Sequence, residues 1–171
     1  MELYLLRHAP AGVRDARRYP SDAERPLTRK GRLKMVLGAR GMRTLGLEFD
    51  LILSSPLVRA RQTARVVRSV FRAPARVRIF RPLSPGVESE ALVHALADLP
   101  AATRLLLVGH EPGLSQLAAL LLAGKGSETS LVLKKGGLCR VDFEGGIAPG
   151  AGRLIFHLTP RVMRLLGRRP G

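Results

Sequence analysis

Three runs of this sequence, Leu3-Tyr4-Leu5-Leu6, Leu51-Ile52-Leu53 and Leu105-Leu106-Leu107-Val108, are apolar at every position. A strand that faces water on one side alternates apolar and polar residues. A strand with no polar position has to be covered on both faces, which requires helices above and below a largely parallel sheet. Three further short runs, Val77-Arg78-Ile79-Phe80, Leu138-Cys139-Arg140-Val141 and Leu154-Ile155-Phe156, also read as strands.

Segments of helical period lie between the strands. From Thr28, read as an N-cap, Leu33, Val36, Leu37 and Leu45 mark one stripe; from Pro56, Ala60, Thr63, Ala64, Val67 and Phe71 mark a second. Ala91, Leu92, Ala95, Leu96 and Leu99 form a third, and Leu114, Leu117, Ala118 and Leu121 a fourth. All four are read as core faces. The alternation predicts a three-layer α/β/α sandwich around a mostly parallel central sheet. The last two strands are joined across Gly145-Gly146 and Pro149-Gly150 with no helix between them, which adds an antiparallel edge pairing. At 171 residues the chain is read as one domain over 1–171, ending in a basic tail that frays from about residue 161.

The formal net charge of +16 points to anionic partners. Lysine stands only at 30, 34, 125, 134 and 135, so the charge is carried mainly by arginines spread along the chain rather than by a basic block. Asparagine is absent and glutamine occurs only at 62 and 116, a composition that also fits the bias of a thermophile. There is no tryptophan and tyrosine only at 4 and 19, so the stacking platforms that single-stranded nucleic acid favours are missing. A basic module binding nucleic acid or polyphosphate is therefore the alternative outside enzymology, and nucleic acid is not the expected partner. Cys139 stands alone, reads as a small buried hydrophobe and fits a reducing cytoplasm. The first residues lack the pattern of a signal peptide, and the apolar run around Leu117 to Ala123 is far shorter than the roughly 20 residues of a membrane span. A soluble, cytoplasmic protein with no membrane partner is expected.

In an open α/β sheet, ligands bind where strands end and helices begin. The first buried strand runs into Arg7-His8, the second into Ser54-Ser55-Pro56 with Arg59 and Arg61 just beyond, and the third into Gly109-His110-Glu111-Pro112. Ser55-Pro56 reads as an N-cap with proline at the first helical position, leaving free N–H groups beside Arg59. Two imidazoles, guanidinium groups and helix N-termini at one sheet edge suit a phosphoryl group, because these donors match its equatorial oxygens. No carboxylate cluster at metal-ligand spacing accompanies them, and there is no Walker loop, so no metal and no other cofactor is expected. The remaining histidines, His94 and His157, fall inside a helix and a strand and are read as structural.

At these residues the sequence becomes specific. Leu6-Arg7-His8, the run from Ser54 to Ala64 containing Ser55-Pro56 and Arg59-Ala60-Arg61-Gln62-Thr63-Ala64, and Val108-Gly109-His110 resemble the three signature segments of the histidine phosphatase (phosphoglycerate mutase-like) superfamily, in order and in spacing. The short length and Arg25-Pro26-Leu27-Thr28 are similar to the compact SixA-type phosphohistidine phosphatases. The superfamily's usual glycine after the histidine is Ala9 here, a departure that bears on subgroup more than on mechanism. The resemblance implies that His8 is a transiently phosphorylated nucleophile and that Arg7, Arg59 and His110 grip the phosphate.

Attack requires neutral His8, and neighbouring arginines would lower its pKa. Arg61 lies about 200 degrees round the helix from Arg59 and is not expected at the same phosphate. Arg25 is a further candidate phosphate contact. For the general acid, Glu88 ranks ahead of Glu90 and Glu111. A phosphorylated imidazole leaves more readily than an alkoxide, which favours phosphoramidate substrates. The roughly fifty residues between Arg59 and His110 argue against a large lid, so that the site could admit either a protein-borne phosphoryl group or a small phosphate ester. The SixA-type resemblance implies phosphohistidine in a protein. The alternative is a small phosphate ester hydrolysed by the same mechanism. The protein is expected to be a monomer or homodimer.

Overall fold

The computed structural model describes residues 1–71, 76–99, 104–126 and 131–168. The six expected strands are present as β1 (Glu2–Arg7), β2 (Leu51–Ser54), β3 (Arg76–Ile79), β4 (Arg104–Gly109), β5 (Leu138–Asp142) and β6 (Arg153–Leu158). They form a single sheet in the order β3-β2-β4-β1-β5-β6. Strands β3, β2, β4 and β1 pair in parallel, whereas β5 pairs antiparallel with both β1 and β6. The helices are α1 (Arg29–Thr44), α2 (Val58–Phe71), α3 (Ser89–Ala97), α4 (Gly113–Ala123) and α5 (Pro160–Leu166).

The continuous apolarity of the central strands is explained by two cores. Leu3, Leu5, Leu53, Leu105 and Leu107 pack on one face beneath α3 and α4. Tyr4, Leu6, Ile52, Leu106 and Val108 pack on the other face with residues of α1, α2 and α5. Alternate residues of one strand thus enter opposite cores, each large side chain contributing about 1.5–3 kcal/mol by leaving water.

The first helix departs from its expected stripe. Leu33 is 59% and Leu45 41% exposed, and the buried positions of α1 are Gly31, Met35, Gly38, Ala39, Gly41 and Met42. Close backbone approach decides this: a Cβ on Gly31 would stand 1.9 Å from the Pro10 carbonyl oxygen, and one on Gly41 would stand 2.0 Å from that of Met163. The buried stripe combines Met35, Ala39 and Met42 with three glycines, which carry no apolar signal. The tail, expected to fray from about 161, is helical over Pro160–Leu166, and residues 169–171 lie outside the described residues. Thr159 caps α5, which lies along α1 with Met163 fully buried, and the helix continues to Leu166. Helix α2 begins at Val58, two residues beyond the expected start.

Register brings the chemistry together. Arg7 lies opposite Gly109 and Ser54 opposite Val108, and the ladder continues one step further through His8 N–H to Gly109 O (3.1 Å) and Ser55 N–H to Val108 O (3.0 Å). His8, Ser55 and His110 therefore leave the sheet side by side.

Candidate active site

His8 and His110 face one another with ring centroids 5.0 Å apart. Both are buried, at 5% and 6% exposure. The Nδ1 of His8 lies 2.7 Å from the Ala9 carbonyl, an oxygen that can only accept. This contact fixes the proton on Nδ1 and leaves the Nε2 lone pair free. The ring is held from the next residue as well, since the Ala9 N–H donates to Thr63 Oγ1 at 3.1 Å while that hydroxyl donates to Arg59 O at 2.8 Å. Burial pushes the pKa of His8 down to about 4, with the charges of Arg59, Arg7 and Lys135 adding to the effect. Desolvation, rather than the arginines expected from sequence, is the leading cause. His110 is pushed down to about 3, again first by burial and then by His8 and Arg59. Both rings are neutral at pH 7.

Arg59 is also buried, and its terminal nitrogens are taken by one residue. Nη1 donates to the Asp22 carbonyl at 2.7 Å, and Nη2 pairs with the Asp22 carboxylate at 2.9 Å. The same carboxylate receives Arg25, through Nε at 3.0 Å and Nη2 at 2.9 Å, while Arg25 Nη1 donates to Gly12 O at 2.8 Å. Arg25 is thus committed to Asp22 and the loop backbone, and it meets the site through Asp22. The arginines around Asp22 hold its carboxyl below the usual carboxylate range, against the opposing effect of burial. Gln62 accepts the Leu27 N–H at 2.8 Å, which ties the Arg25-Pro26-Leu27-Thr28 segment to α2.

The Ser55 hydroxyl accepts from Leu57 N–H at 3.3 Å and lies 2.8 Å from His110 Nε2. With Ser55 donating to Nε2, the His110 proton sits on Nδ1. That atom is buried without a hydrogen-bond partner, as are Arg7 Nε and Arg59 Nε, and also Arg61 Nε, on another side of α2 from Arg59. Unpaired buried donors are costly, so three of them around one buried imidazole pair point to an anionic ligand. Arg7 Nη1 donates to Leu133 O at 2.8 Å, and Glu111 accepts the Leu133 N–H at 2.7 Å, so the two fix the loop beside the site.

Of the three candidate acids, Glu111 is engaged with Leu133 and with Ser115 Oγ, and Glu90 pairs with Lys125 at 2.8 Å. Glu88 caps α3 without a side-chain cap bond and lines a cavity of about 240 Å³ together with His110 and Glu111. Among the described residues no group of three or more His, Cys, Asp or Glu could hold a metal ion, and no helix is long and apolar enough to cross a membrane. His94 and His157 are exposed, while Cys139 is buried, its thiol pushed up to about 12 by desolvation. Sequence reasoning missed Asp22, whose one signal was its place three residues before Arg25. Ser55, read as a helix cap, accepts the Leu57 N–H just ahead of α2, and its hydroxyl also lies against His110, a second role the sequence did not show.

Residues 3–79 match the histidine phosphatase superfamily (branch 1). An uncharacterized protein of Picosynechococcus sp. is 38% identical over 167 residues, covering 96% of this chain and 95% of that protein. The phosphohistidine phosphatase SixA of Escherichia coli K12 is 30% identical over 129 residues, 73% of this chain and 76% of its own. Among solved structures, the protein histidine phosphatase SixA complexed with tungstate superposes with a TM-score of 0.81 at 24% identity, over 94% of this chain and 98% of that one. The sandwich is the phosphoglycerate mutase-like α/β fold.

Proposed function

The chain belongs to branch 1 of the histidine phosphatase superfamily and is a phosphohydrolase, and on that footing we propose that it acts without a metal, through phosphorylated His8, on phosphohistidine carried by proteins. The observation that carries the mechanism is the pairing of a free Nε2 on a neutral His8 with three unpartnered buried donors, Arg7 Nε, Arg59 Nε and His110 Nδ1. The Nε2 lone pair attacks phosphorus and the bond from phosphorus to the substrate nitrogen breaks. The three donors neutralise charge on the equatorial oxygens. The released imidazole takes up one proton. Water then attacks phospho-His8, the new phosphorus–nitrogen bond breaks, and inorganic phosphate leaves with His8 neutral again.

Two features support a protein-borne phosphoramidate. The described elements between α2 and β4 are β3, a single 3-10 turn over Arg81–Leu83 and α3, so no large lid is described in this stretch. The similarity to the phosphohistidine phosphatase SixA of E. coli points the same way. Glu88, in the cavity with His110, is the group we assign to protonate a leaving group that needs it, and that position gives the small-ester reading its support.

The test is phosphate release from a phosphohistidine peptide, an aryl phosphate and an alkyl phosphate, all with EDTA present. Activity resistant to EDTA, highest on the peptide and abolished in His8→Ala, is the expected result. Greater efficiency on the esters would move the substrate to small phosphates. A metal requirement, or turnover surviving in His8→Ala, would overturn the mechanism.

A further inference from the structure

A second cavity, of about 190 Å³, is walled by Ala9 and Pro10, the two residues that follow His8, and by Lys135, whose charge acts on the His8 ring. Three cations from three different elements line it: Lys34 of α1, Lys135 of the turn before β5, and Arg164 of α5. No carboxylate lines it, and among the described residues none of the three cations has an ion pair or side-chain hydrogen bond. Among the described residues most cations of this basic chain have no acid to pair with, and those that do lie elsewhere: Arg14, Arg25 and Arg59 at Asp22, Arg104 at Glu48 and Asp50, Lys125 at Glu90, Arg140 at Asp142 and Glu2, Arg153 at Glu144. What sets these three apart is that they share one cavity.

The cluster is held by backbone. Gly136, at φ +79°, donates its N–H to Arg7 O at 3.0 Å, and Arg7 N–H donates to Gly137 O at 3.2 Å, so the turn carrying Lys135 is tied to the strand carrying the nucleophile. Lys34 and Arg164 are set by the glycine-mediated contact of α1 with α5, where a Cβ on Gly167 would stand 1.9 Å from Leu37 O. Three like charges fixed around one concavity repel one another and hold a field that an arriving anion relieves. Met35, Gly38 and Pro160 add apolar surface to the lining.

We propose that this cavity is an anion subsite that receives an acidic side chain of the substrate protein next to its phosphohistidine. The proposal rests on the reading of the substrate as protein-borne. It gives the enzyme a preference among phosphohistidine sites, whereas the catalytic groups read only the phosphoryl group. The shared chemistry would also admit the second phosphate of a small diphosphate, and the experiment separates the two.

The first arm needs no catalysis: fluorescence anisotropy of an unphosphorylated peptide carrying glutamates, against its glutamine counterpart. It compares the wild type with K34E/R164E and with R65E/R68E, which changes net charge equally on the exposed face of α2. Binding of the glutamate peptide should weaken at least tenfold in K34E/R164E and less than threefold in R65E/R68E. Equal losses in the two variants, or no preference for glutamate in the wild type, would overturn the proposal. K34Q/R164Q, which removes charge without reversing it, should lose affinity in the same direction, and aryl phosphate turnover should persist in every variant as the check on folding.

The second arm measures kcat/KM on phosphohistidine peptides with glutamate or glutamine neighbours, with an expected preference of about tenfold for glutamate that disappears in K34E/R164E. A diphosphate competing at the cavity more strongly than the glutamate peptide would overturn the assignment to a protein side chain. If no phosphohistidine peptide is turned over while glutamate binding still maps to the cavity, the substrate reading fails and the subsite stands.

Discussion

Arg59 reaches the candidate phosphate site with both terminal nitrogens already committed to Asp22, at 2.7 Å and 2.9 Å, and only its buried Nε unpartnered. Asp22 thereby fixes the plane of the guanidinium, and Arg25 fixes Asp22. Orienting a donor in advance avoids its entropic cost at the moment of reaction. Asp22→Ala should therefore lower kcat/KM for an aryl phosphate about tenfold, a loss of about 1.4 kcal/mol of transition-state stabilisation. Unchanged or improved kcat/KM would show that Asp22 is a competitor for Arg59 rather than its anchor.

Thr63 joins the nucleophile segment to α2 with a single hydroxyl. Thr63→Val keeps the shape but strands the buried Ala9 N–H, and denaturant unfolding should show a loss of about 1–3 kcal/mol. Thr63→Ser, which keeps the hydroxyl, should stay within about 1 kcal/mol of the wild type. A loss in Thr63→Ser that is absent from Thr63→Val would assign the effect to the methyl group and its packing rather than to the hydroxyl.

The depressed histidines make stability depend on pH. In the unfolded chain an imidazole titrates near 6.5, whereas folding holds His8 near about 4 and His110 near about 3. Between those limits the unfolded state takes up protons that the folded state refuses. Stability is therefore lost as pH falls from 6.5 towards 4, at up to about 1.4 kcal/mol per pH unit for each ring. The denaturation midpoint should drop between pH 7 and pH 4.5, and less steeply in His110→Gln. The same slope in both proteins would exclude His110 as a source.

If Glu88 is the proton donor, its importance depends on the leaving group. Glu88→Gln should reduce turnover of an alkyl phosphate about a hundredfold and change that of a phosphohistidine peptide less than about threefold. Parallel losses on both substrates would assign Glu88 to binding.

The contact between α1 and α5 leaves no room at Gly41, where an added Cβ would stand 2.0 Å from Met163 O. Gly41→Ala should cost about 1–3 kcal/mol despite the better helix propensity of alanine, and should expose the arginines of α5 to trypsin. Unaltered tryptic resistance would mean that the two helices separate without loss.

The sequence by itself determined the sheet and its covering. Runs such as Leu105 to Val108, apolar at every position, can be satisfied only between two layers of helix, and the residues that follow each run carry the chemistry. The superfamily was legible because its signature segments are short, ordered and chemically specific. The α1 face was misread because a helix packed through Gly31, Gly38 and Gly41 buries its backbone and not the leucines beside them. Only the tertiary structure could bring Asp22 to Arg59, 37 residues on, or gather Lys34, Lys135 and Arg164 around one cavity. No local periodicity encodes such meetings. They follow from strand register and helix approach, which place distant residues within reach of one another only once the chain has closed.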